Sequence, residues 1–167
     1  NPVDLLAVVL DEAKTLHEVD DPAVRAHVER AAAGFRAKTL KREYYATLPE
    51  GAVARSVVVY WSPQLPAWNL RENLKTFTAR ALRLARDYRL PRVGLVVNTR
   101  DGAALVGEAV EGAVIGTRLF DKYKQEKDDF FPKHASLTIL THLESRADAE
   151  ARRERYAWVA ENVNLAR

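Results

Sequence analysis

The chain has no cysteine and no methionine among its 167 residues. Without thiols, neither a disulfide framework nor a thiolate metal site can form, which fits a cytoplasmic protein. Without methionine, the natural start is expected to have been removed or to lie outside these residues. No apolar run approaches the roughly 20 residues needed to span a bilayer; the longest strings, such as Leu5–Leu10, are strand-sized. No basic start followed by an apolar stretch and a small-residue cleavage site is visible, so neither a signal peptide nor a membrane partner is expected. Charge of one sign is also scarce. The formal charge of +3 comes from 26 basic and 23 acidic side chains, a small excess on a mixed surface.

What remains is the composition of a globular domain, 47% apolar and 29% charged, long enough to close one core. Leu5–Leu10 is continuously apolar and reads as a strand buried on both faces. Asp21-Pro22 opens a helix, with the Asp21 carboxylate accepting from free amides and Pro22 having no amide to leave unpaired. Val24, Val28, Ala31, Ala32 and Phe35 follow at helical spacing, and Gly34 stands where a left-handed stop is expected. Leu40–Leu48 alternates, with Leu40, Tyr44, Ala46 and Leu48 on one side, before a Pro49-Glu50-Gly51 turn; it reads as an edge strand, antiparallel to its neighbours. Ala54–Trp61 should be a central strand, closed by the prolines of the Ser62–Ala67 loop.

The clearest helix runs from Asn69 to Arg89, with Asn69 and Glu72 as a capping box and Leu70, Leu74, Phe77, Ala81, Leu84, Ala85 and Tyr88 as its inward stripe. Val93–Val97 is a further buried strand, a third helix follows Gly102, and His134–Thr141 holds the last strand. A fourth helix is expected from Ser145, with Tyr156, Val159, Ala160, Val163 and Ala166 inward. Strands alternating with helices imply an α/β fold, a three-layer α/β/α sandwich with a mixed, mostly parallel sheet.

The chemistry-bearing residues are few. Asn98, Thr99, Asp101 and Gly102 form the candidate ligand loop, because they lie beyond the carboxyl end of a parallel strand, where α/β sheets place their sites. The same loop lacks the glycines needed to wrap a diphosphate, and Thr99 or Asp101 is explained equally by a helix cap. Arg80, Arg83 and Arg86 form a candidate basic face for nucleic acid, within a helix segment whose simpler reading is a solvated surface. Gly107, Gly112 and Gly116 interrupt the third helix at about 1 kcal/mol each, which points to close packing against a neighbour. His17, Glu18, Asp20 and Asp21 carry ligand-type atoms without the spacing of a helical zinc motif. His134 and His142 bracket a strand and cannot share an ion, and no serine sits at a glycine-flanked elbow. Neither a catalytic nor a metal-binding residue is assigned.

Two segments, EGAVIGTRLFDKYK (Glu111–Lys124) and AWVAENVNLAR (Ala157–Arg167), carry a family resemblance. They are similar to the amino-terminal domain of leucyl aminopeptidases, where a glycine-spaced helix runs into a Phe-Asp-Lys-Tyr-Lys turn and a later helix leads into the catalytic half. The chain departs from the pattern at Tyr60-Trp61-Ser62-Pro63, where relatives commonly carry Gly-Leu-Gly, which suggests a divergent branch. The resemblance implies a macro-domain-like fold over 1–145. It also implies that 146–167 form a helix packed on that domain and leading toward a catalytic domain of the same polypeptide. The parent enzyme would use two divalent metals, zinc or manganese, to remove amino-terminal residues from peptides as a homohexamer. Its metal ligands would lie in the half absent here, so no cofactor is expected in this chain. The other reading is a stand-alone macro-like module for nucleotide or nucleic acid.

Overall fold

The computed structural model describes residues 3–10, 21–62, 67–98, 105–117, 136–140, 151 and 154. Eight elements alternate through them: β1 (Val3–Leu10), α1 (Pro22–Arg36), β2 (Glu43–Thr47), β3 (Ala54–Trp61), α2 (Ala67–Asp87), β4 (Arg92–Asn98), α3 (Val106–Thr117) and β5 (Ser136–Leu140). The strands form one sheet in the order β2-β3-β1-β4-β5. Only β2 runs antiparallel to its neighbour, as its alternating pattern implied. The helices flank the sheet, giving the expected α/β sandwich with a mixed, mostly parallel sheet.

β1 is the central strand and, apart from Val3, is buried along its whole length. Its side chains alternate between two cores. Leu5, Ala7 and Val9 join Val58, Tyr60, Val93, Leu95 and Val97 beneath α2 and α3. Leu6, Val8 and Leu10 join Val57, Val59 and Val96 beneath α1. A strand with helices on both faces must be apolar at every position, which is why the Leu5–Leu10 run shows no alternation.

The strand starts two residues before the apolar run and so takes in Asp4, a buried carboxylate. Arg92, at the start of β4, donates to Asp4 Oδ2 from its backbone amide and from Nε, both at 3.0 Å, and to Oδ1 from Nη2 at 2.9 Å. Arg55 of β3 adds a longer contact of 3.5 Å. Those hydrogen bonds replace the water that burial removes. The Arg92 side-chain bond outweighs burial and holds the Asp4 carboxyl below its ordinary value.

α1 is capped as expected. Asp21 accepts from the amides of Ala23 and Val24, and Pro22 occupies the first turn. Its second oxygen accepts from the Val53 amide at 2.7 Å, tying the helix to the segment that enters β3. The expected stop at Gly34 is corrected. The helix continues to Arg36, and the left-handed residue is Lys38, at φ 58°. Gly34 serves packing instead, since a Cβ there would fall 2.7 Å from the Leu40 side chain.

α2 begins at Ala67, so Asn69 lies inside its first turn and is not its cap. Glu72 pairs with Lys75. Leu74, Phe77, Ala81 and Ala85 are buried and Leu70 and Leu84 pack partly, but Tyr88, placed in the stripe, is 60% exposed. Leu82 and Thr78 are buried in its place. Thr78 is tolerated there because its hydroxyl donates to the Leu74 carbonyl at 2.9 Å. The helix therefore buries a broader arc than the stripe drew, because it contacts both the sheet and α3.

Candidate functional site

The sites of open α/β sheets lie beyond the carboxyl ends of their parallel strands. Here those ends are Leu10 of β1, Trp61 of β3 and Asn98 of β4, with Leu10 in register with both Trp61 and Asn98. Of the candidate ligand loop, Asn98 is thus placed by its backbone at the end of β4, next to the central strand. Thr99, Asp101 and Gly102 lie outside the described residues, so their arrangement around Asn98 is not part of the geometry.

At this end the fold holds two buried polar side chains to which the sequence assigned no role. Ser62 follows β3; its amide donates to the Leu10 carbonyl at 2.9 Å, while its hydroxyl has no hydrogen-bond partner among the described residues. Glu108 stands in the first turn of α3, buried, and its Oε1 accepts from Arg71 Nη1 at 2.8 Å. Its Oε2 has no partner among the described residues. A half-satisfied buried carboxylate can accept one further donor. The hint in the sequence is a lone acid between Gly107 and Ala109 in an otherwise apolar helix start, a position that also favours negative charge at a helix amino terminus.

The basic face is less basic than its sequence suggests. Arg71 pairs with Glu108, Lys75 with Glu72 and Glu111, Arg80 with Glu43 and Arg86 with Asp87. Burial pushes the Lys75 ammonium down, but hydrogen bonds to Glu111 and Glu72 outweigh it and leave its pKa above the ordinary value. Of the three candidate residues, Arg80 and Arg86 are thus engaged with carboxylates, and Arg83 is exposed. Exposed pairs of this kind contribute little to stability, but they lower the local potential.

Two of the three α3 glycines, Gly112 and Gly116, pack as their spacing implied. A Cβ on Gly112 would fall 2.4 Å from the Lys75 carbonyl oxygen, and one on Gly116 would fall 2.6 Å from the Ala79 Cα. The two helices therefore meet backbone to backbone along this line, with Gly107 buried one turn earlier. Of the histidines, His27 pairs its Nδ1 with the Tyr44 hydroxyl at 2.9 Å; His17, His134 and His142 lie outside the described residues, as do the Phe120–Lys124 turn and all of the Tyr156–Arg167 stripe. Only Ala151 and Glu154 of the expected fourth helix are described, and both are helical.

Among the described residues, no three His, Cys, Asp or Glu side chains come together as a metal site would require. No described helix is long and apolar enough to cross a membrane. At the opposite end of the sheet an open cleft of about 820 Å³ is lined by Val3, the Thr47–Arg55 connection and Arg92. Its charged wall is the Asp4–Arg92–Arg55 cluster, whose carboxylate is already saturated by Arg92.

No protein-family model matches the sequence, and no curated protein matches it. The fold does have known counterparts. A solved structure of a tomato leucine aminopeptidase mutant superposes with a TM-score of 0.68 at 16% sequence identity. The match covers 99% of this chain and 35% of that one. At that identity the likeness is one of fold: nearly the whole chain reproduces about a third of a leucine aminopeptidase.

Proposed function

We propose that this chain is the non-catalytic amino-terminal domain of a metal-dependent leucyl aminopeptidase, with a role in assembly or in shaping access to the catalytic domain. The observation that carries this reading is the extent of the fold match, since 99% of the chain is used to cover 35% of an aminopeptidase. The motifs at Glu111–Lys124 and Ala157–Arg167 support it independently, because they resemble the same family in sequence. The two divalent metals that the resemblance implies for the parent find no ligand cluster among the described residues, so no step of peptide hydrolysis is derived from this chain. Its contribution to the parent would be its surface: a rigid α/β body held beside the catalytic domain and, if the parent is a homohexamer, within the assembly.

The alternative, a macro-like module for nucleotide or nucleic acid, draws on Asn98 at the end of β4 and on the basic side chains of α2. Its electrostatic support is weakened by the ion pairs that occupy Arg80 and Arg86. Two measurements separate the readings. The isolated 167-residue chain, supplied with manganese or zinc, should release nothing from leucyl-p-nitroanilide above blank; turnover that tracks the purified chain would overturn the proposal. The coding sequence after Arg167 should continue into a segment rich in carboxylate metal ligands, whereas a stop codon would favour the module.

A further inference from the structure

Among the described residues, no strand covers the outer edge of β2, and its surroundings define what fits it. Trp61 donates to the Arg42 carbonyl at 2.9 Å, and Leu48 donates to the Arg55 carbonyl at 2.8 Å. With Tyr44 opposite Val59 and Ala46 opposite Val57, the even-numbered residues of this segment turn their amides and carbonyls toward β3. The alternation of an antiparallel ladder then points the backbone groups of Glu43, Tyr45 and Thr47 the other way. β2 is the outermost strand of the sheet, and no described residue is paired across that side. Unpaired strand edges of this kind are templates for another strand.

The side chains of the same residues lie on the α2 side of the sheet, where they build a second feature. Tyr45 and Tyr88 stack with ring centroids 5.8 Å apart and planes 12° from parallel, although they are 41% and 60% exposed. The Tyr45 hydroxyl donates to Ser56 Oγ at 3.0 Å, which fixes the ring against β3. Large aromatic side chains left in water on an otherwise charged surface are a recognition signal. A residue of an added strand lying opposite Tyr45 would rest beside this pair.

Charge selects among occupants. Lys41 and Arg42 precede the strand and, like Arg83 on the neighbouring helix surface, are exposed; Arg80 pairs with Glu43 and Arg86 with Asp87, so Lys41, Arg42 and Arg83 leave this rim with an excess of positive charge. A second copy pairing through β2 would bring this basic rim against its own image. We propose that the outer edge of β2 is a docking strand for an extended, acidic peptide segment, which adds to the sheet beside Glu43–Thr47 with an apolar side chain on the Tyr45–Tyr88 pair. The proposal goes beyond the aminopeptidase reading and stands or falls without it.

The test uses a fluorescein-labelled peptide with an apolar centre flanked by acidic residues (Glu-Asp-Val-Tyr-Val-Asp-Glu), in which the acids two positions from the tyrosine share its face, a lysine-for-acid control peptide and oligothymidylate, each titrated into the 167-residue chain. The acidic peptide should bind, bind less tightly as salt rises, and shift the amide resonances of Glu43, Tyr45 and Thr47; the lysine peptide should not bind. Thr47→Pro removes an outward amide without breaking a bond to β3, a position where an edge strand tolerates proline, and should weaken binding by about tenfold. Tyr88→Ala, at an exposed helix end, should weaken it by roughly threefold without affecting the β2 backbone. The Tyr88→Ala arm and the amide shifts keep the proposal falsifiable should Thr47→Pro fail to fold. No acidic-peptide binding, or equal binding by both variants, would overturn it. Oligothymidylate binding at this surface that ignores Thr47→Pro would overturn it in favour of nucleic acid. Self-association abolished by Thr47→Pro would overturn it in favour of a second copy.

Discussion

Among the described residues, one face of the sheet has a single helix, α1, over Leu6, Val8, Leu10, Val57 and Val59; on the other, α2 and α3 lie side by side over Leu5, Ala7, Val9, Val58 and Tyr60. The lone helix is held mainly from its ends. Asp21 anchors its start to Val53, and the turn after Arg36 folds back through Leu40, whose amide donates to the Gly34 carbonyl. The paired helices are held along their length by contact between backbones, by the Tyr60–Phe77 stack at 4.8 Å and by the Arg71–Glu108 and Lys75–Glu111 pairs. A helix that touches only a sheet can be fixed by its caps. Helices that must also touch each other need small residues at the crossing, and the small residues determine how near they come.

The sharpest break in this comparison is in α2, whose stripe serves two neighbours. Leu82→Ala should cost about 2–5 kcal/mol, as expected for a fully buried leucine, and Leu84→Ala distinctly less because that residue is only half-buried. Arg83→Ala, between them on the outer surface, should change stability by less than about 0.5 kcal/mol. Urea denaturation of the three variants checks the order, and equal losses at Leu82 and Arg83 would show that the helix is rotated from the described phase.

A finer break compares glycines on the two faces. Gly112→Ala drives a methyl group into the Lys75 backbone, which cannot move without shifting α2. Overpacking of roughly 1–3 kcal/mol should outweigh the gain of about 1 kcal/mol in helix propensity. Gly34→Ala meets side-chain atoms alone, Leu40 Cδ1 at 2.7 Å and Cγ at 2.9 Å, so relief needs a shift of that leucine but not of a backbone, and the loss should be smaller than at Gly112, within about 1 kcal/mol of neutral. Thermal melts that rank the two variants the other way would refute the backbone contact.

The smallest expected effect concerns the cap of α1 and depends on pH. The Val53 amide, ahead of those of Val24 and Ala23 and against burial, holds the Asp21 carboxyl below its ordinary value of 3.8. A carboxyl with a lowered folded pKa contributes stability above its unfolded value and loses it as pH falls through the folded one. Asp21→Ala should therefore cost about 0.5–2 kcal/mol at pH 7. The gap to the wild type should narrow as the pH falls below about 3.8. A gap independent of pH down to complete acid unfolding would show that the carboxylate is not what holds the cap.

The sequence determined the elements themselves. Buried parallel strands are apolar at nearly every position, an edge strand alternates, and an Asp-Pro pair favours a helix start; hence β1, β3 and the start of α1 were legible within a residue or two, and β2 by its pattern although it starts three residues later than Leu40. The α3 glycines were legible as contact points because a helix keeps costly residues only where space requires them. Interactions between positions far apart in the chain were decided by the tertiary structure alone. Asp4 is a strand residue only because Arg92, distant in sequence, lies beside it to neutralise it. Tyr88 fits the stripe of α2 by spacing, yet the helix ends at Asp87 and Tyr88 turns away to stack on Tyr45 of the edge strand. Ser62 carries no local signal of burial, and Glu108 only that of an acid in an apolar helix start; they became candidate site residues when the strand ends and helix starts were brought to one end of the sheet. Local backbone preference and apolar period are encoded in consecutive residues, whereas desolvation and its compensation are properties of neighbours that only folding supplies.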